Sequence, residues 1–431
     1  MKRSYDMKLN HCILSPWVHA ILASTFAASG ALADEVFPGK EGFDRFGGYL
    51  AIKGEATGRF HLERIDGRHF LMTPDGHGFL SIGVSHTDAI PNPDESPHDH
   101  FKEGLGGDWG KANAELLSHF RDWGYNSLGY GSHESTRKLL PHFGNCMSTG
   151  MVMSYRGKRV VFPDVFSDDW KNKSRGVIER MVEEFGDDPN LIGLYWQDVP
   201  CWDLTHAKRT AGKTWVDAIR ELPEDAPGRI RYERFLRENG ADASDEDFLV
   251  LIAREVYSHI GPLTRELAPD TLIFGERYVG RALPWRVIQE ALPWIDVVSV
   301  QPAGTGQIGG TLFPKEAFDR LYEETGKPIM ICDHPTSFNL AGPSSAGRPT
   351  LPELATVRQS HARYLDVGFS TPYLIGYNRC QYIDRYKAAK DRIKQGLLQS
   401  DGSPYEELVD TVRQNNWQTH ERFLGTSGGK E

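Results

Sequence analysis

Leu191-Ile-Gly-Leu-Tyr-Trp-Gln-Asp198 runs apolar and then ends on a carboxylate. Lys327-Pro-Ile-Met-Ile-Cys-Asp333-His334 repeats the pattern, and Thr271-Leu-Ile-Phe-Gly-Glu276-Arg277-Tyr278 gives it a third time. A carboxylate directly after a buried strand is costly to desolvate unless the strand opens into a polar cleft. Three such ends, spread along one chain, predict one face of a closed sheet lined with acids.

Working outward, strand-like and helix-like segments alternate. The strands are read at Phe79–Val84, Tyr125–Tyr130, Met151–Tyr155, Leu191–Gln197, Thr271–Gly275, Asp296–Val300, Pro328–Cys332 and Phe369–Tyr377. Helical spacing covers Ala112–Trp123, Trp170–Phe185, Lys315–Thr325, Pro352–Leu365 and much of Tyr386–Phe423, with a break at Asp401-Gly-Ser-Pro404. A long helical insertion spans Thr214–Leu267. Arg68–Gly83 reads as a hairpin turning at Asp75-Gly76. Buried apolar strands separated by helices imply a parallel sheet. Eight such units predict an α/β (β/α)8 barrel, whose site lies at the C-terminal strand ends. An open doubly wound sheet is the competitor, but no Gly-x-Gly-x-x-Gly or phosphate loop follows the first strand. The expected organisation is a leader over 1–33, an extension over 34–67 and the barrel over 68–425. Pro91–Gly110 and Ser337–Pro352 would be loops over the active face.

The chain has 431 residues and a net charge of -10, which argues against nucleic acid as a partner. Lys2, Arg3 and Lys8, an apolar stretch from Cys12 to Ala28, and Ala31-Leu32-Ala33 read as a secretory signal cleaved before Asp34. A periplasmic or secreted protein is expected, and no later segment has the roughly twenty apolar residues of a membrane span. Cys146, Cys201, Cys332 and Cys380 show no metal spacing; buried thiols are expected, with one disulfide left open. Oligomeric state is not legible.

Breaking a glycosidic bond needs two carboxyl groups, one to protonate the leaving oxygen and one to attack or to activate water. Asp198 and Asp333 are the leading pair and Glu276 the third candidate. Trp196 and Trp202 near Asp198 offer faces for sugar rings. Arg277 beside Glu276 reads as a plain ion pair that holds it ionised. His86, Asn126, Arg277, Tyr278, Gln301, His334 and Tyr377 fall on or just after strands and, with the two tryptophans, are read as groups that bind saccharide. His98-Asp99-His100 is a weak metal candidate, since adjacent residues do not share a face. No metal or cofactor is expected, and no Gly-x-Ser-x-Gly elbow supports a serine nucleophile.

With those pieces in order, the chain resembles the clan-A glycoside hydrolases, and among them the exo-acting β-agarases of the GH50 type. The resemblance rests on Gly78-Phe-Leu-Ser-Ile-Gly-Val-Ser85, Trp123-Gly-Tyr-Asn-Ser-Leu-Gly129, Leu191–Tyr195, Phe274–Tyr278, Asp296–Val300, Gly326–Ile331, Gln381-Tyr-Ile-Asp-Arg385 and the tail Lys394–Tyr405. It implies a polysaccharide or oligosaccharide substrate, of the agarose or porphyran galactan type. The family carries Asp-Asn-Glu after the fourth strand, where this chain has Gln197-Asp198-Val199, and a Glu after the seventh, where it has Asp333. Valine cannot transfer a proton. The expectation is an Asp-based hydrolase, with Asp333 as base or nucleophile and Asp198 as general acid, its pKa raised by Trp196 and Trp202, or with Glu276 contributing; the shorter Asp side chains make inversion the hypothesis, with retention left open. A carbohydrate-binding pseudoenzyme is the alternative from another class. Elimination with Tyr278, Tyr377 or His334 as base, or transglycosylation, is a third.

Overall fold

The computed structural model describes residues 41–89, 100–145, 162–280, 283–302, 311–336, 338–339, 354–384 and 393–425. The leader over 1–33, the Met151–Tyr155 strand, Cys146 and His98-Asp99 lie outside them.

Strands β1 (Tyr49–Lys53), β2 (His61–Ile65), β3 (Arg68–Met72) and β4 (His77–Phe79) form an antiparallel sheet in the order β1-β4-β3-β2. The expected hairpin is β3–β4, with Leu71 opposite Phe79. Its turn needs Gly76, whose φ is +84° and whose missing Cβ would meet the backbone of Ala56 at 2.9 Å. This sheet takes two strands from residues read as an extension and two from residues read as barrel.

The barrel strands are β5 (Ser81–Ser85), β6 (Ser127–Leu128), β7 (His142–Asn145), β8 (Leu191–Asp198), β9 (Ile273–Val279), β10 (Val298–Gln301), β11 (Ile329–Pro335) and, after the two-residue β12 (Phe338–Asn339), β13 (Leu374–Cys380). They pair in parallel and close, β13 meeting β5 with Gly376 opposite Ser81. A short β14 (Ile393–Lys394) pairs antiparallel with β12. The third barrel strand is thus His142–Asn145, which corrects its placement at Met151–Tyr155. The helices are α1 (Trp109–Trp123), α2 (Glu134–Arg137), α3 (Asp168–Phe185), α4 (Leu204–Ala211), α5 (Trp215–Arg220), α6 (Pro227–Asn239), α7 (Asp245–Leu267), α8 (Trp285–Ala291), α9 (Lys315–Thr325), α10 (Leu354–Gly368) and α11 (Glu406–Leu424). Their starts follow local chemistry. Asp108 accepts from the Gly110 and Lys111 N–H groups at α1, and Thr214 and Asp217 form a reciprocal capping box at α5.

Two apolar clusters follow from strand alternation. The outer one lies between strands and helices and includes Leu194, Trp196, Tyr278, Ile331 and Tyr377. The inner one joins Phe143, Ile192, Phe274, Val297, Met330 and Ile375 to Phe46, Phe60, Leu71 and Phe79. The N-terminal sheet therefore plugs the barrel end at which the strands begin, and the polar strand ends stay at the opposite mouth. Cys201, Cys332 and Cys380 are buried reduced thiols. Among the described residues no helix is long and apolar enough to cross a membrane.

Candidate active site

Strict alternation from Phe274 inward would aim Glu276 into the barrel and Arg277 out. The structure does the reverse. Gly275 takes φ +64°, and the β8–β9 register slips there, Tyr195 facing Gly275 but Gln197 facing Glu276. A side chain at 275 would strike Ile295 at 2.7 Å, so glycine is required on steric grounds as well. The bulge turns Arg277 to the interior, beside the inner residues Tyr195 and Cys332.

Arg277 is the hub of the mouth. Its side chain is fully buried; Nη1 lies 3.1 Å from Asp198 Oδ1 and Nη2 lies 3.4 Å from Asp333 Oδ2. Nη2 also donates to the Cys332 carbonyl at 3.1 Å. The guanidinium sits over the Tyr130 ring at 4.8 Å and near Tyr195 at 5.8 Å. Its carboxylate neighbours outweigh burial and raise its pKa, so it is a fixed cation. Gln301 Nε2 donates to the same Asp198 oxygen at 2.8 Å. The structure thus brings Asp198, Asp333, Arg277 and Gln301 together, from β8, β11, β9 and β10. Of the two acids Asp198 is the more open, its side chain 10% exposed against 2% for Asp333.

Glu276 points the other way, toward α7. Its Oε2 accepts from Trp202 Nε1 at 2.6 Å and from the Tyr257 hydroxyl at 2.6 Å, and Tyr257 contacts the Tyr278 hydroxyl at 3.1 Å. Burial pushes the Glu276 carboxyl up to about 7, against the lowering effect of those two donors. The expected Glu276–Arg277 ion pair is therefore corrected: neighbours in sequence, they face opposite sides of the strand.

Several expected saccharide contacts also lie in the strand–helix layer. Trp196 Nε1 donates to Thr264 of α7 at 3.0 Å, so its ring faces away from Asp198. Trp202 stacks on Trp215 at 5.3 Å. His334 contacts the Tyr377 hydroxyl at 3.0 Å and packs on Tyr364 of α10 at 3.9 Å. Burial and the Arg379 charge hold His334 well below its ordinary pKa. Asn126 bonds the backbone of Ile82 and Leu80, at the start of β5, and ties two strands together.

His86 does reach the mouth. It follows β5 in a left-handed conformation, φ +60°, and one of its ring nitrogens, a carboxylate oxygen of Asp333 and Cys380 Sγ all lie within 4.8 Å of one another. Cys380 and the hub role of Arg277 were not legible as site features. The only signal was position, each standing at a strand end in a row of polar residues.

No family model matches the chain, and no curated protein matches it. Solved structures do match its fold. An exo-beta-agarase aligns with TM-score 0.72 and 17% identity over 94% of this chain and 71% of that chain. The agarase AgWH50C aligns with TM-score 0.70 and 19% identity over 97% of this chain and 71% of its own. BpGH50 aligns with TM-score 0.70 and 17% identity over 89% and 87%. A beta-glucuronidase lies farther off, at TM-score 0.51 and 11% identity. The shared feature is the barrel with its surrounding elements.

Proposed function

We propose that this chain is a glycoside hydrolase acting on a polysaccharide or its oligosaccharides. The observation that carries the reading is the convergence of Asp198 and Asp333, from non-adjacent strands, on one guanidinium at the C-terminal ends of the barrel strands. Two carboxyl groups facing one saccharide are what hydrolysis of an acetal needs. Agarose- and porphyran-type galactans are the first substrates to test, because an exo-beta-agarase and the agarase AgWH50C are among the structural neighbours. The signal-like segment over 1–33 supports a site of action outside the cytoplasm.

Asp333, held by Arg277 and nearly fully buried, is the proposed base or nucleophile. Asp198 is the proposed proton donor, since it is the more exposed acid. Separate nitrogens of Arg277 hold the two carboxylates. Inversion is the proposed outcome, because two aspartates, each one methylene shorter than glutamate, leave more room for the water that an inverting pair roughly 6.5–9.5 Å apart accommodates. The anomeric form of the first product, followed by NMR, tests this; retention contradicts it.

One observation favours a second reading, saccharide binding without turnover. Arg277 and Gln301 both hold Asp198 Oδ1, so that oxygen is engaged within the protein rather than presented to a saccharide. Val199, next in the chain, has no proton to offer. Incubation of the purified protein with galactan oligosaccharides, read by chromatography and calorimetry, separates the two. New shorter saccharides support hydrolysis; heat of binding without products supports the binder; neither outcome removes the carbohydrate reading.

A further inference from the structure

We propose that His86, Asp333 and Cys380 form a binding site for a divalent transition metal of the Zn²⁺ class at the barrel mouth. The three residues come from β5, β11 and β13, which are consecutive around the barrel in the order β11-β13-β5. All three are buried, and one ligand atom from each lies within 4.8 Å of the other two. Tetrahedral zinc, with bonds of about 2.0–2.3 Å, sets its ligand atoms roughly 3.5 Å apart. Closing the gap takes an inward move of about 1 Å, within reach of side-chain rotation.

The donor set selects the metal. Thiolate, imidazole and carboxylate together favour Zn²⁺, Co²⁺ or Cu²⁺ over Mg²⁺ and Ca²⁺, which take oxygen alone. Supporting contacts are in place. Gln395 Nε2 donates to Cys380 Sγ at 3.4 Å, as outer groups do to a metal-bound thiolate. Arg277 holds one oxygen of Asp333 and fixes how the carboxylate is turned. Three protein ligands leave a fourth position, which is the count of an open rather than a purely structural zinc site.

The inference concerns metal affinity in the absence of saccharide, so its failure leaves the hydrolase reading untouched. The test is titration of the metal-stripped full chain with Co²⁺, followed by absorption. One equivalent bound, with a thiolate-to-cobalt charge-transfer band that Zn²⁺ abolishes, is the expected result. Cys380→Ser should lose the band, and His86→Gln should weaken Co²⁺ binding at least 10-fold. A wild-type titration without that band overturns the proposal, as does a band of equal intensity in Cys380→Ser. Should Cys380→Ser not fold, unchanged affinity in His86→Gln overturns it equally.

Discussion

Arg277 Nη1 stands 3.1 Å from Asp198 Oδ1 across the β8–β9 pair, and the same guanidinium reaches Asp333 on the far side of β10. A buried cation between two carboxylates is expensive to break from one side, because the acids are left without compensation. Arg277→Met should cost about 3–5 kcal/mol, read by urea unfolding. Arg277→Lys should recover little of it, since a single ammonium does not bridge two carboxylates in a fixed plane. A loss below about 1 kcal/mol in Arg277→Met, the scale of an exposed pair, contradicts the hub.

Glu276 makes a stability prediction with a definite sign. Its pKa is raised from 4.5 to about 7 in the folded chain, so the folded state binds its proton more tightly than the unfolded state. The stabilisation is fully present below about pH 4.5 and is lost as pH rises through about 7, a change of about 3 kcal/mol. Glu276→Gln keeps an acceptor for Trp202 and Tyr257 but cannot titrate. Urea unfolding at pH 5 and pH 8 should show the wild type losing stability relative to Glu276→Gln. Parallel pH dependences contradict the assignment.

His361 acts in the opposite direction. Burial, aided by the Arg379 charge, lowers its pKa to about 3, so below about pH 6.5 the unfolded chain binds a proton that the folded chain refuses. Stability should fall by about 1.4 kcal/mol per pH unit from about 6.5 down to about 3. Relative to wild type, His361→Gln should move the acid-unfolding midpoint to lower pH. No movement of the midpoint contradicts the buried neutral imidazole.

Val199 follows Asp198 with φ +40°, a conformation rare for a β-branched residue. It also stands where the resembled family places a proton-donating Glu. On the binder reading, in which the acid is missing, Val199→Glu should raise turnover of galactan oligosaccharides about 10²-fold or more, the usual worth of general acid catalysis; with Asp198 already serving as the acid, the rate should change little. Equal rates in the variant and the wild type contradict the missing acid at residue 199.

Most of the barrel was legible because its strands are long apolar runs with helices between them. His142–Asn145 was not. It is four residues long, His-Phe-Gly-Asn, with no β-branched residue and no alternation to read. That Asp198 and Asp333 meet was legible from the sequence; the directions of the neighbouring side chains were not. Period-two reasoning puts Glu276 inside, but the Gly275 bulge shifts the count by one. Trp196 and His334 belong to the helix-facing side of their strands, and no local pattern separates a residue that ends a strand inward from one that ends it outward. Arg277 pairs with residues distant in sequence, and that information exists only once β8, β9, β10 and β11 lie side by side.

Comparison of oligosaccharide release by the wild type and by Asp333→Asn is the most direct trial of the shared-carboxylate site, with circular dichroism confirming that both are folded. Products from the wild type and a fall of at least about 10³-fold in the variant are expected, on the scale of losing an essential catalytic group. Undiminished release by folded Asp333→Asn contradicts the shared-carboxylate site.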